Sequence, residues 1–185
     1  ARLGAPAAPT VMDVAKDPWG ASPATTPDGL RLVDGGDWRA VADATTVGDA
    51  LGVLTAAHDV VVVDVGTDLS DRTVPVVAGS DLVVVVVAPD GDAVQVAERV
   101  AIRVADMAGS AQPALVVALV ARTRDRTTRL RRSRSDGVVP VPYDRSLVGG
   151  GVVRRGLLNP ATWHAYVSVA EYVDDASLVG RGRAG

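Results

Sequence analysis

Cysteine is missing from the 185 residues. That excludes disulfides and thiolate metal sites and fits a reducing compartment. Histidine occurs only at His58 and His164, too far apart in the chain to suggest a multi-histidine metal centre. No apolar run reaches the roughly 20 residues needed to cross a bilayer; the valine-rich stretch 82–88 is far too short. The chain does not open on a basic, apolar leader, so a cytoplasmic location with no stable membrane insertion is expected. A net charge of −3 marks no strong preference for partners of either sign.

What the chain does have is valine in blocks. Residues 60–63 are four consecutive valines. A β-branched run without alternation reads as a strand buried on both faces, the signature of a parallel sheet. Residues 82–88, 115–121 and 138–141 repeat the pattern. Between them the period changes. Val94, Ala97, Ala101, Val104 and Ala105 recur at helical spacing within 92–107. Val47, Ala50, Leu51 and Leu54 form one stripe ahead of His58. The segment 160–173 places Trp163, Tyr166, Val167, Ala170 and Val173 on one face, and Asn159-Pro160 supplies a cap and a first-turn proline. Strands alternating with helices of this length predict parallel βαβ units. The expected fold is a three-layer α/β domain over residues 1–175, a mostly parallel sheet with helices on both faces. Residues 176–185, with three glycines and little apolar face, read as a flexible tail.

Asp64 stands at the carboxyl end of the first valine run. In open α/β sheets, ligands bind at that edge. An acid there can hold Mg²⁺ through water beside terminal phosphates. Its plainer role is to start a turn or cap a helix.

The order of these segments resembles the MinD/ParA branch of P-loop ATPases, most closely the MinD-like ATPases of actinobacteria. The family's second acidic motif has its counterpart in Asp64-Val65-Gly66-Thr67, followed by Leu69-Ser70-Asp71. Gly79-Ser80-Asp81-Leu82-Val83 leading to Ala88-Pro89-Asp90 is similar to the family's next strand. Val139-Pro140-Val141-Pro142-Tyr143-Asp144 matches its Pro-Tyr-Asp element. Thr10-Val11-Met12-Asp13-Val14 and Gly29-Leu30-Arg31-Leu32-Val33 resemble earlier parts, so the resemblance covers nearly the whole chain. It implies that Asp64 holds Mg²⁺, that Gly66 and Thr67 sense the γ-phosphate, and that Pro142, Tyr143 and Asp144 border the base. It also implies a homodimer or partner chain, with ATP hydrolysis acting as a dimer switch in intracellular positioning, partitioning or secretion.

The family's phosphate loop, a Gly-rich turn ending Gly-Lys-Thr, has no match. Lys16 is the only lysine and no glycine precedes it; Gly149-Gly150-Gly151 lies too late and leads into Val152-Val153. The fold is therefore expected to be N-terminally incomplete, with ATP and Mg²⁺ belonging to the complete protein, neither bound by this chain alone, and no catalytic residue assigned within it. Asp68 stands where the family's switch glycine follows two prolines, and Ala121 or Arg122 where it often has asparagine. Lacking the phosphate-loop strand, the 60–63 run either meets another segment or is left with unpaired backbone edges. Two other readings stand beside this one: a nucleotide-free scaffold for protein partners, and a module for DNA or another polyanion.

The third reading rests on arginine. Arg122, Arg124, Arg126, Arg129, Arg131, Arg132 and Arg134 crowd one stretch with Asp125 as the only acid among them. Such a run can contact several phosphates, but no aromatic residue interleaves it to stack bases. Replacing Arg129, Arg131, Arg132 and Arg134 with alanine is expected to flatten the salt dependence of DNA retention by about one unit of log–log slope per lost phosphate contact. An unchanged slope on a salt-gradient column would leave the run as a solvated segment.

Overall fold

The structure is a computed structural model that describes residues 8–17, 20–21, 23–26, 29–35, 43–67, 69–88, 92–111, 113–121, 137–148 and 153–183. The chain falls into two compact units, Ala1–Val76 and Val77–Gly185.

In the first unit, helix α1 (Val11–Lys16) opens on a capping box. The Asp13 backbone N–H donates to Thr10 Oγ1, and the Thr10 N–H donates to Asp13 Oδ2 at 2.8 Å. Two orphan amide groups at the helix start are thereby satisfied. Strands β1 (Ala24–Thr25) and β2 (Arg31–Leu32) pair antiparallel. Their turn is closed by Thr26 N–H to the Leu30 carbonyl, with Gly29 at φ 83°, a conformation that favours glycine. Helix α2 (Ala44–Ala57) is capped by Asp43, whose Oδ1 accepts from the Thr46 N–H. The stripe read from the sequence is its inner face: Val47 and Ala50 are buried, and Val47 packs with Val76, Met12, Leu51 and Val65. A 3₁₀ turn (Asp71–Thr73) leads into α3 (Val74–Ala78).

The second unit is the α/β core. Strands β3 (Leu82–Val87), β4 (Ala114–Val120) and β5 (Gly137–Val141) form a parallel sheet in the order β3-β4-β5. Val84 pairs with Val116, and Val117 with Val138. Neighbours along a strand point to opposite faces, and Val116 and Val117 are both 0 % exposed. The sheet is therefore covered on both sides at its central strand. Helix α4 (Ala93–Ala108) packs on β3 and helix α5 (Pro160–Arg183) on β5, β4 and β3. Ala165 of α5 joins Val116, Ala118, Val139 and Val141 in the core, with Val169 and Tyr172 against it. A Cβ at Gly137 would meet the Tyr172 hydroxyl, so a side chain there requires the Tyr172 ring to shift. Asn159 Oδ1 accepts from the Ala161 N–H at 3.0 Å, the predicted cap. The helix continues past Val173 to Arg183, into the segment read from the sequence as a tail.

Strands β3, β4 and β5 and helix α4 match the sequence reading to within a residue. The 60–63 run does not. It belongs to no strand, and Val60, Val62 and Val63 are exposed, Val62 at 87 %. The reason is non-local: β-branched residues favour a ladder only where a neighbouring backbone offers one, and among the described residues none does.

The contrast is measurable. Leu119→Ala, at 2 % exposure in β4, is expected to cost about 2–5 kcal/mol, whereas Val62→Ala should stay within about 0.5 kcal/mol. Urea unfolding of both variants checks the assignment.

Candidate functional site

The first unit contains a cavity of about 820 Å³, within the usual range for bound ligands. One wall is the 60–65 segment, which carries Asp64; others are Leu51 and Leu54 of α2, and Leu32 of β2. The stripe on α2 was legible as a helix face, but the walls from residues 29–35 were not, because nothing in that short segment announces its neighbours.

Asp64 lies on this wall and is exposed. Its Oδ1 accepts from the Gly66 N–H at 2.9 Å, the local turn that aspartate favours through its short side chain. Gly66 sits at φ 61°, where a Cβ would be strained, so the reversal after the valine run depends on glycine. Thr67 is exposed beside it. Asp64 thus closes the turn with one oxygen, and its Oδ2 has no hydrogen bond among the described residues. No group of three or more acidic or histidine side chains among the described residues forms a metal cluster. The donor set fits Mg²⁺ only in the manner of nucleotide sites, where one or two carboxylates act with substrate phosphates and water.

Pro142, Tyr143 and Asp144 follow β5 in the second unit, half-buried at the first two positions and buried at Asp144. Asp144 is fully engaged within the chain. Its Oδ1 accepts from the Ser146 Oγ–H at 2.7 Å and the Ser146 N–H at 3.0 Å, and its Oδ2 from the Asn159 N–H at 2.7 Å. The carboxylate ties the end of β5 to the start of α5. The Ser146 hydroxyl, then the Asn159 and Ser146 backbone amides, hold its pKa down to about 2. Thr162, fully buried on the first turn of α5, leaves its hydroxyl without a well-formed hydrogen bond, although its proximity also favours the charged Asp144. Next to this junction the Arg155 guanidinium stacks 4.3 Å above the Trp163 ring, a contact that draws on the ring's negative face.

Arg129, Arg131, Arg132 and Arg134 lie outside the described residues. No helix among the described residues is long and apolar enough to cross a membrane. Comparison with known proteins identifies no relative: no family model, no curated protein and no solved structure matches the chain.

Asp144 makes stability depend on pH. Its folded pKa is depressed, so its contribution is fully present above the ordinary value near 3.8 and is lost as pH falls through about 2. The melting temperature is expected to fall across that window. Asp144→Asn should melt lower than the parent at neutral pH and show a shallower fall below pH 4. Parallel melting curves would refute the assignment.

Proposed function

We propose that this chain is the carboxyl-terminal portion of a MinD/ParA-like ATPase, completed by a phosphate-binding loop outside these residues. The observation that carries the reading is the Asp64–Gly66 turn. A carboxylate follows a valine run, is held by its own turn with one oxygen unbonded among the described residues, and borders a cavity of ligand size. In this reading Asp64 holds Mg²⁺ through water, and Gly66 and Thr67 lie where a terminal phosphate is sensed. The bound ion supplies charge neutralisation at the phosphates. The resemblance assigns Pro142 and Tyr143 to the base, and Asp144 braces their loop through its bonds to Ser146 and Asn159. The parallel three-stranded sheet is compatible with such a fold, and the resemblance in residue order is what raises it above other α/β proteins. The hydrolytic cycle would then act as a dimer switch in positioning, partitioning or secretion.

The chain alone is expected to show no micromolar affinity for Mg·ATP by titration calorimetry, because it brings no lysine-bearing phosphate loop. In the protein carrying that loop, Asp64→Ala should lower Mg²⁺-dependent turnover by about 10–100-fold with the circular-dichroism spectrum unchanged. Wild-type turnover in that variant would return Asp64 to a turn residue.

A further inference from the structure

Helix α5 carries two seams, and the sheet uses one of them. Thr162, Ala165, Val169 and Tyr172 lie on the inner seam, and the last three pack with the core of the second unit. Trp163, Val167, Ala170 and Asp174 form the other, at steps of four, three and four residues. That is the spacing of a helix–helix seam. None of these four belongs to the core cluster of the sheet. Trp163 and Val167 are half-buried, Ala170 and Asp174 are exposed, and Tyr166 beside them is 40 % exposed.

The two ends of this seam differ in charge. Arg155, from the turn Arg155–Leu157, stacks on Trp163 and so brings a cation to the amino-terminal end. Residues 145–170 contain no acid to offset it, whereas 171–175 contain Glu171, Asp174 and Asp175 and no base. Arg155 and Asp174 are both exposed, and neither has an ion-pair partner among the described residues. A cation beside a helix amino terminus works against the macrodipole, so the helix gives Arg155 no favourable charge either.

Spacing and charge together choose an occupant. The steps four, three and four read the same from either end. Laid antiparallel on a second α5, the seam sets Trp163 opposite the partner's Asp174 and Val167 opposite the partner's Ala170. Arg155 then meets the partner's Asp174 at both ends of a contact about 16 Å long. The small Ala170 lets the helix axes approach to about 8–10 Å. A parallel pairing would instead oppose like charges at each end. We propose that this flank of α5 is an antiparallel, twofold docking surface for a second copy of this chain. The contact needs no nucleotide and uses no residue of the unit that carries Asp64. It is therefore separate from the ATP-driven dimer that the resemblance implies, and stands apart from the ATPase reading.

The test is sedimentation velocity of the full chain over a concentration series, without ATP or Mg²⁺. A monomer–dimer equilibrium with a dissociation constant of about 10–100 μM is expected, weakening as NaCl is raised. Arg155→Glu and Asp174→Arg should each weaken the dimer about tenfold or more, since each opposes like charges at both ends. Mixing the two variants should restore association, because every charged pair in the mixed dimer is again opposite in sign. Ala170→Arg, at an exposed position in the middle of the seam, should abolish association. Its melting temperature should match the parent's at concentrations where the parent is monomeric. A parent that stays monomeric at about 500 μM would overturn the proposal. Single variants that associate like the parent would overturn it too. So would a mixture that stays monomeric while circular dichroism shows both variants folded.

Discussion

The second unit depends on burying β4 from both sides. Val116 and Val117 point to opposite faces and neither reaches solvent, so the strand needs a helix layer above and below and a neighbour on each edge. The register supplies the neighbours, β3 and β5, and the helices follow from it. A parallel connection has to leave the sheet and return, and α4 is that return between β3 and β4. Each fully buried valine contributes about 1.5–3 kcal/mol of apolar burial, on a scale where a whole domain is stable by only about 5–15 kcal/mol. Losing the burial of even one of them is therefore large on the scale of the unit's net stability.

The same sequence pattern gives the opposite result at 60–63. Locally the four valines are indistinguishable from the run in β3, and no reading of neighbours along the chain separates them. What separates them is a partner. Leu82 has Ala114 opposite it, while residues 60–63 have no ladder among the described residues. Helices were legible because their hydrogen bonds are internal and their amphipathic faces appear in the spacing; α2 and α4 lie where the periodicity placed them. Three strands were legible because the chain also supplies their partners. The fourth failed for want of one among the described residues, which the run itself does not reveal.

The site divides along similar lines. Asp64 and Asp144 each follow a valine-rich segment and look alike in sequence. Asp144 spends both oxygens on Ser146 and Asn159, and the last of these is fifteen residues away in sequence. That contact decides its role, and no motif revealed it. Asp64 spends one oxygen two residues away, on Gly66, so its turn could be read from the Asp-x-Gly spacing itself. Short-range chemistry was visible in the letters, and the long-range bond that converts a candidate ligand into a brace was not.

This locality has a functional consequence. The Asp64 turn is closed by its own glycine at φ 61° and requires no strand beside residues 60–63 to set its shape. The valines before it, by contrast, gain burial only when something covers them, since an exposed Val62 contributes almost nothing to the free chain. Geometry at the acid is thus set by the turn alone, while the valines before it add little to the stability of the chain as it stands. Any group that covered the valines would remove water from the wall that carries Asp64 and lower the dielectric there. Electrostatic attraction between that carboxylate and any cation beside it then strengthens. Covering the edge and strengthening the site are the same event, because the apolar run and the acid are consecutive residues of one wall.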